Sequence, residues 1–205
     1  MDAPLPREHA GAMDVAELHR RTVETWTQSV RNVGPDQWDG PTPCSEWSVR
    51  DLVNHVGGED AWTVPLMRGA TIAEVGDSLD GDLLGVDPEG NAVRLADEAL
   101  AVVAEELPAR GKVHLSYGDE EASEYVRQLA ADHLLHAWDL AAATDGDRTL
   151  DAALVEAVGT WFAEREELYR AGGAVGPRVD RPDGDPQTEL LAAAGRDSAW
   201  TPPRH

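Results

Sequence analysis

The chain has 205 residues, 41% of them hydrophobic and only 5% aromatic, with a formal net charge of −22. That is apolar material enough for one large domain, while so acidic a chain repels nucleic acid and anionic membrane surfaces. No run approaches the roughly 18 apolar residues of a membrane span, and the single cysteine excludes an internal disulfide framework and a thiolate-rich zinc knuckle.

Residues 1–12 have neither the basic start nor the apolar core of a secretory signal. They are expected to form a flexible lead-in, and with the lone cysteine they point to the cytoplasm. From Asp14 a helical period begins, with Val15, Leu18, Thr22, Trp26, Val30 and Val33 three or four residues apart. Gly34-Pro35 ends it. The proline-rich loop DQWDGPTPCSEW follows, and Ser48 with Asp51 then reads as a capping box. It opens a second helix through Leu52, Val53 and Val56 to Trp62 or Leu66. Gly57-Gly58 in its middle predicts a kink or a close approach to the backbone.

Residues 69–90 form a long connection, and a third long helix is expected over 88–107. The segment 112–115 is a candidate extended piece. A fourth helix spans about 120–143 and a fifth about 152–170. Residues 171–187 are a Gly/Pro/Asp linker, followed by a short helix over 189–194 and a tail to Trp200. The expected class is all-α: a four-helix bundle with an additional helix and an extended C-terminal tail. Its parts are the lead-in 1–12, a helical bundle over 13–170, and a linker and tail, 171–205, packing on the bundle.

The fourth helix carries the chemistry. Apolar residues lie on nearly every side of YVRQLAADHLLHAWDLAAAT, marking burial on several faces. Asp132 and His136 are four residues apart, so they present an oxygen and a nitrogen at one point. A carboxylate buried there is costly unless it is paired or binds a metal. A core Asp–His hydrogen bond and half of a metal site fit the spacing equally well. His55, at the edge of the second helix's apolar face, reads alone as a core or surface histidine. As a third ligand it would complete the open arrangement of a catalytic zinc site. Glu59, one turn on, is a candidate base or a residue that orients His55, and a solvated face suits it equally.

Five other positions read as structural. His133 points off the Asp132–His136 stripe, Cys44 reads as an inert buried thiol, and Trp47 and Trp138 read as core anchors. Arg50 suits a structural ion pair. Asp139 could hold a neighbouring helix or accept a ligand histidine's N–H, and a solvated or capping role suits it equally.

The segments TPCSEWSVRDLVNHVGGEDAW and DHLLHAWDLAAATDG resemble the two signatures of the mycothiol-dependent maleylpyruvate isomerase N-terminal family, a branch of the DinB-like metal-binding bundles. The closing LLAAAGRDSAW is similar to the tail of small single-domain actinobacterial members. The resemblance implies a DinB-like bundle with His55, Asp132 and His136 as metal ligands and a water completing the shell. The ion expected is zinc first, with nickel or another divalent metal as substitutes. Two features depart from the family pattern. Asp132 stands where the isomerase usually has Glu, and the chain leaves no length for the isomerase's second domain, which contributes an arginine. Maleylpyruvate itself, a dianion, is therefore not the expected substrate.

The resemblance implies a metal-dependent enzyme using mycothiol as co-substrate: a thiol S-transferase or isomerase acting on a small electrophile. Two alternatives remain at this point. One is a metal-dependent hydrolase, lyase or cyclase without a thiol. The other is a non-catalytic, metal-stabilised binding module. The expected partners are a small-molecule substrate and a low-molecular-weight thiol, with neither nucleic acid nor membrane, in a monomer or homodimer.

Overall fold

The computed structural model describes residues 13–180 and 184–203. The expected lead-in 1–12 lies outside them. Four long helices form a bundle: α1 (Val15–Arg31), α2 (Val49–Met67), α4 (Pro88–Glu106) and α5 (Ala122–Ala143). Helices α1 and α2 each pack on both α4 and α5, which puts α1 and α2 at opposite corners. A one-turn helix, α3 (Ile72–Val75), interrupts the long connection. No helix among the described residues is long and apolar enough to cross a membrane.

Local chemistry accounts for the ends of these helices. The Asp14 carboxylate accepts from the backbone N–H groups of Ala16 and Glu17 and so caps α1. Its apolar stripe is buried, with Leu18, Trp26 and Val30 at most 4% exposed. Ser48 and Asp51 make the predicted reciprocal capping box at the start of α2. The helix runs through Gly57-Gly58 to Met67. A Cβ on Gly57 would stand 3.3 Å from Leu95 Cδ1, so glycine here lets α4 come close.

Three boundaries differ from the sequence expectation. Helix α5 starts at Ala122 rather than 120. Residues just before it form β2 (Gly118–Glu121), antiparallel to β1 (Lys112–Leu115) with Leu115 opposite Gly118. Gly118 has φ +129°, which only glycine adopts freely, and this turn closes the hairpin. The fifth predicted helix is two, α6 (Ala152–Ala163) and α7 (Glu166–Ala171), broken at Glu164 and Arg165. There the Arg165 side chain turns back to hold Glu124 of α5, its Nε donating to Oε1 at 2.7 Å. The last helix, α8 (Pro186–Ala193), starts earlier than expected because Asp185 caps it and Pro186 fits its first turn. Helix α8 packs on α6.

Helix α5 is the central element. Sixteen of its 22 residues are buried, because α1, α2 and α6 all lie against it. One apolar cluster joins Trp138, Leu134, Leu154 and Leu191 on the α6–α8 side. A second joins Trp26, Val53, Val56 and Leu140 on the α2 side.

Candidate metal centre

Helix α5 presents Asp132 and His136 on one face, as their spacing requires. Nε2 of His136 lies 3.3 Å from Oδ1 of Asp132. From α2, Nε2 of His55 reaches within 3.7 Å of the other oxygen, Oδ2. One donor atom from each of the three residues lies within 4.8 Å of the others. The Asp132 side chain is 33% exposed, yet Oδ2 is itself buried and has no hydrogen-bond partner. That is an expensive arrangement for a carboxylate with no further ligand.

The electrostatics are those of a coupled cluster. Burial alone would raise the Asp132 carboxyl, but the His136 charge and hydrogen bond, then His55 and His133, outweigh it and hold the group ionised far below its usual range. Burial lowers His55, partly offset by Asp132. Burial would also lower His136, but Asp132 and Asp139 overcome it and push the ring well above its ordinary value. The pair therefore favours a positive charge between its members.

Behind His136 lies a second layer. Its Nδ1–H donates to Oδ2 of Asp139 at 2.9 Å, so Asp139 accepts the histidine N–H, one of the roles its sequence position left open. Burial would raise the Asp139 carboxyl, but Arg196 and then His136 hold it below its usual range. Arg196 donates from NH2 to Asp139 Oδ2 at 3.0 Å and from NH1 to the Ala194 carbonyl at 2.7 Å. Sequence reasoning gave Arg196 no role. The legible signal was Gly195-Arg196 directly after a short helix. Gly195 has φ +79° and closes α8, and the Arg196 N–H bonds back to the Leu191 carbonyl at 2.7 Å.

Cys44 is half-buried rather than fully buried as expected. The loop before α2 is tied down by Thr42, whose hydroxyl bonds the carbonyls of Cys44 and Trp47. This sets the half-buried Cys44 Sγ 3.5 Å from Asp139 Oδ2. Cys44, His136 and Asp139 form a second group of convergent donors. Its Asp139 is already neutralised by Arg196, whereas Asp132 Oδ2 is unpartnered, so the His55–Asp132–His136 group is the more available. Trp47 packs on the His55 ring with centroids 4.6 Å apart.

His133 is structural as expected: fully buried, it contacts Asp60 of α2 at 3.1 Å and the Leu129 carbonyl at 2.7 Å. Arg50 makes the expected ion pair, with Asp82 at 2.9 Å. Glu59 is partly buried one turn beyond His55. Burial, then the Asp132 and Asp60 charges, push its carboxyl up to about 7.

The donors open onto a cavity of about 540 Å³, within the ordinary range of small-molecule sites. Its lining includes Cys44, Trp47, Gln128, Leu135, Trp161 and Arg196 besides the three donors. Glu59 lies outside that lining.

Bundle and donor cluster together define a mainly helical protein of DinB-like architecture. A family model described as the mycothiol maleylpyruvate isomerase N-terminal domain matches residues 19–141, and the chain belongs to this family. Two uncharacterized proteins of Mycobacterium tuberculosis, from strains CDC 1551 / Oshkosh and ATCC 25618 / H37Rv, are each 32% identical to it over 180 residues, covering 83% of this chain and 84% of theirs. No solved structure matches the chain.

Proposed function

We propose that His55, Asp132 and His136 hold a divalent metal ion, zinc in the first instance, in an enzyme that transfers or isomerises through a mycothiol-type thiol and a small electrophile. One observation carries this reading: three donors from two helices converge beside an open cavity, with one buried carboxylate oxygen left without a partner. Donors about 2.0–2.2 Å from a tetrahedral zinc stand roughly 3.3 Å apart, and the Asp132 carboxylate spans the two rings, Oδ1 at 3.3 Å from His136 Nε2 and Oδ2 at 3.7 Å from His55 Nε2. The shorter Asp side chain therefore serves where the family pattern has Glu. The thiol is supported by the family to which the chain belongs.

When bound, the ion would supply Lewis acidity that keeps a thiol ionised at neutral pH. The protein's own residues do the rest. Asp139 holds the His136 ring with Nε2 toward the site, and Arg196 holds Asp139. Trp47 packs on the His55 ring. Glu59, outside the cavity lining, is coupled to Asp132 and His136 through charge rather than by touching the ligand. The acidic chain adds a field that disfavours anionic substrates.

The test is metal analysis of the purified protein, followed by calorimetric titration of the zinc-loaded form with mycothiol. Stoichiometric metal that His136→Ala abolishes, and saturable thiol binding that Asp132→Asn weakens, are expected. Protein without metal, or with metal content unchanged in His136→Ala, would overturn the centre. Absence of binding up to millimolar mycothiol would overturn the thiol.

A further inference from the structure

The cavity has a second wall, built by residues beyond the 19–141 segment that the family model matches. Trp161 and Phe162 of α6 and Tyr169 of α7 form it, and Arg196 lies where the chain returns after α8. The three donors lie within the matched segment. This wall belongs to the part of the chain that the family model does not cover.

The wall is aromatic and braced. Trp161 Nε1 donates to Glu124 Oε1 at 2.9 Å, and Arg165 donates to the same oxygen while its guanidinium lies 5.0 Å from the Trp161 ring centroid. Tyr169 packs edge-on to Trp161 at 5.8 Å and against Phe162 at 5.7 Å. On the donors' side of the same cavity, Trp47 adds a further ring. Such surfaces favour a flat π-system over an aliphatic chain of equal size.

Charge narrows the choice further. Arg196 supplies the one guanidinium or ammonium group among the described residues lining the cavity. It is 14% exposed and committed to Asp139 and to the Ala194 carbonyl. A carboxylate placed away from the three donors would lose water without meeting an uncompensated cation, in a chain of net charge −22.

We propose that the site takes a flat aromatic electrophile whose end away from His55, Asp132 and His136 is uncharged, its ring held by Trp161 and Tyr169. The inference rests on the reading of those three residues as the reacting centre. It separates this chain's substrate class from small dicarboxylates.

The test is calorimetric binding to the full zinc-loaded chain of a naphthalene monocarboxylate and of the dicarboxylate bearing its second group at the far end of the ring. The donors can take one carboxylate of either probe, so only the far group differs. The monocarboxylate is expected to bind at least about tenfold tighter. Trp161→Ala should weaken it about tenfold, and Trp161→Phe should restore most of the loss, with metal content and melting temperature followed in each variant. Equal or tighter dicarboxylate binding, wild-type affinity in Trp161→Ala, or no monocarboxylate binding at millimolar concentration overturns the inference. Stoichiometric metal alongside any of these results leaves the proposed centre standing. A metal-free protein that still prefers the monocarboxylate overturns the centre and supports the aromatic wall.

Discussion

Nδ1 of His136 stands 2.9 Å from Oδ2 of Asp139, about one turn further along the same buried helix. With Asp139 ionised, that nitrogen must be the donor, and Nε2 is thereby directed to Asp132. Carboxylate partners of this kind fix the ring and raise its basicity as a ligand. Asp139→Asn keeps the shape and removes the charge. Metal affinity should fall by about 10- to 100-fold, read by competition with a chromophoric chelator. Unchanged affinity would remove Asp139 from the site.

Arg196 is the counter-ion that makes a buried Asp139 tolerable. Asp139 is 0% exposed and Arg196 only 14%. Arg196→Met strands the carboxylate and should cost about 3–5 kcal/mol in urea unfolding, as loss of one partner of a buried pair does. The double variant Arg196→Met/Asp139→Asn should recover part of that loss. A double variant no more stable than Arg196→Met alone would contradict the pairing.

Two glycines should respond to alanine in opposite directions. Gly195 has φ +79°, and a Cβ there would lie 3.1 Å from the Gly176 backbone. Gly195→Ala should destabilise by about 1–2 kcal/mol or more. Gly58 lies inside α2, and a Cβ there would meet nothing within 4 Å. Gly58→Ala should stabilise by about 0.5–1 kcal/mol. Melting curves of the two single variants decide both.

His19 makes the fold sensitive to acid. It is fully buried, and neither ring nitrogen has a hydrogen-bond partner. Burial, then the neighbouring His133, lower its pKa to about 3. An unfolded histidine titrates near ~6.5. Between those values the unfolded chain takes up a proton that the folded chain refuses. Stability therefore falls as pH drops from about 6.5 toward 3, by up to about 1.4 kcal/mol per unit from this group. His19→Leu should flatten that slope. From pH 7 to pH 5 the wild type should lose roughly 2 kcal/mol more than the variant in urea unfolding. Equal losses would show that His19 is not the group responsible.

Much of the bundle was legible because its signals are local. The α1 stripe, the Ser48–Asp51 box and the proline and glycine stops act over one to four residues. The misjudged boundaries have longer causes. Residues 118–121 are strand because 112–115 lies alongside to pair with them. The break between α6 and α7 coincides with Arg165 reaching Glu124, 41 residues earlier. Cys44 lines the cavity because Thr42 shapes its loop and the thiol meets Asp139 of α5, 95 residues on. None of these partners can be chosen from a pattern within one segment.

The sequence by itself determined that Asp132 and His136 meet, since residues four apart on a helix share a face whatever surrounds them. It also determined that Asp139 lies within reach of the same ring. The tertiary structure decided which residues would join them. The packing of α2 on α5 brings His55 to Asp132, and the glycine-closed end of α8 returns Arg196 to Asp139. Periodicity acts within one segment of chain, whereas those two meetings span 77 and 57 positions and depend on how the helices pack.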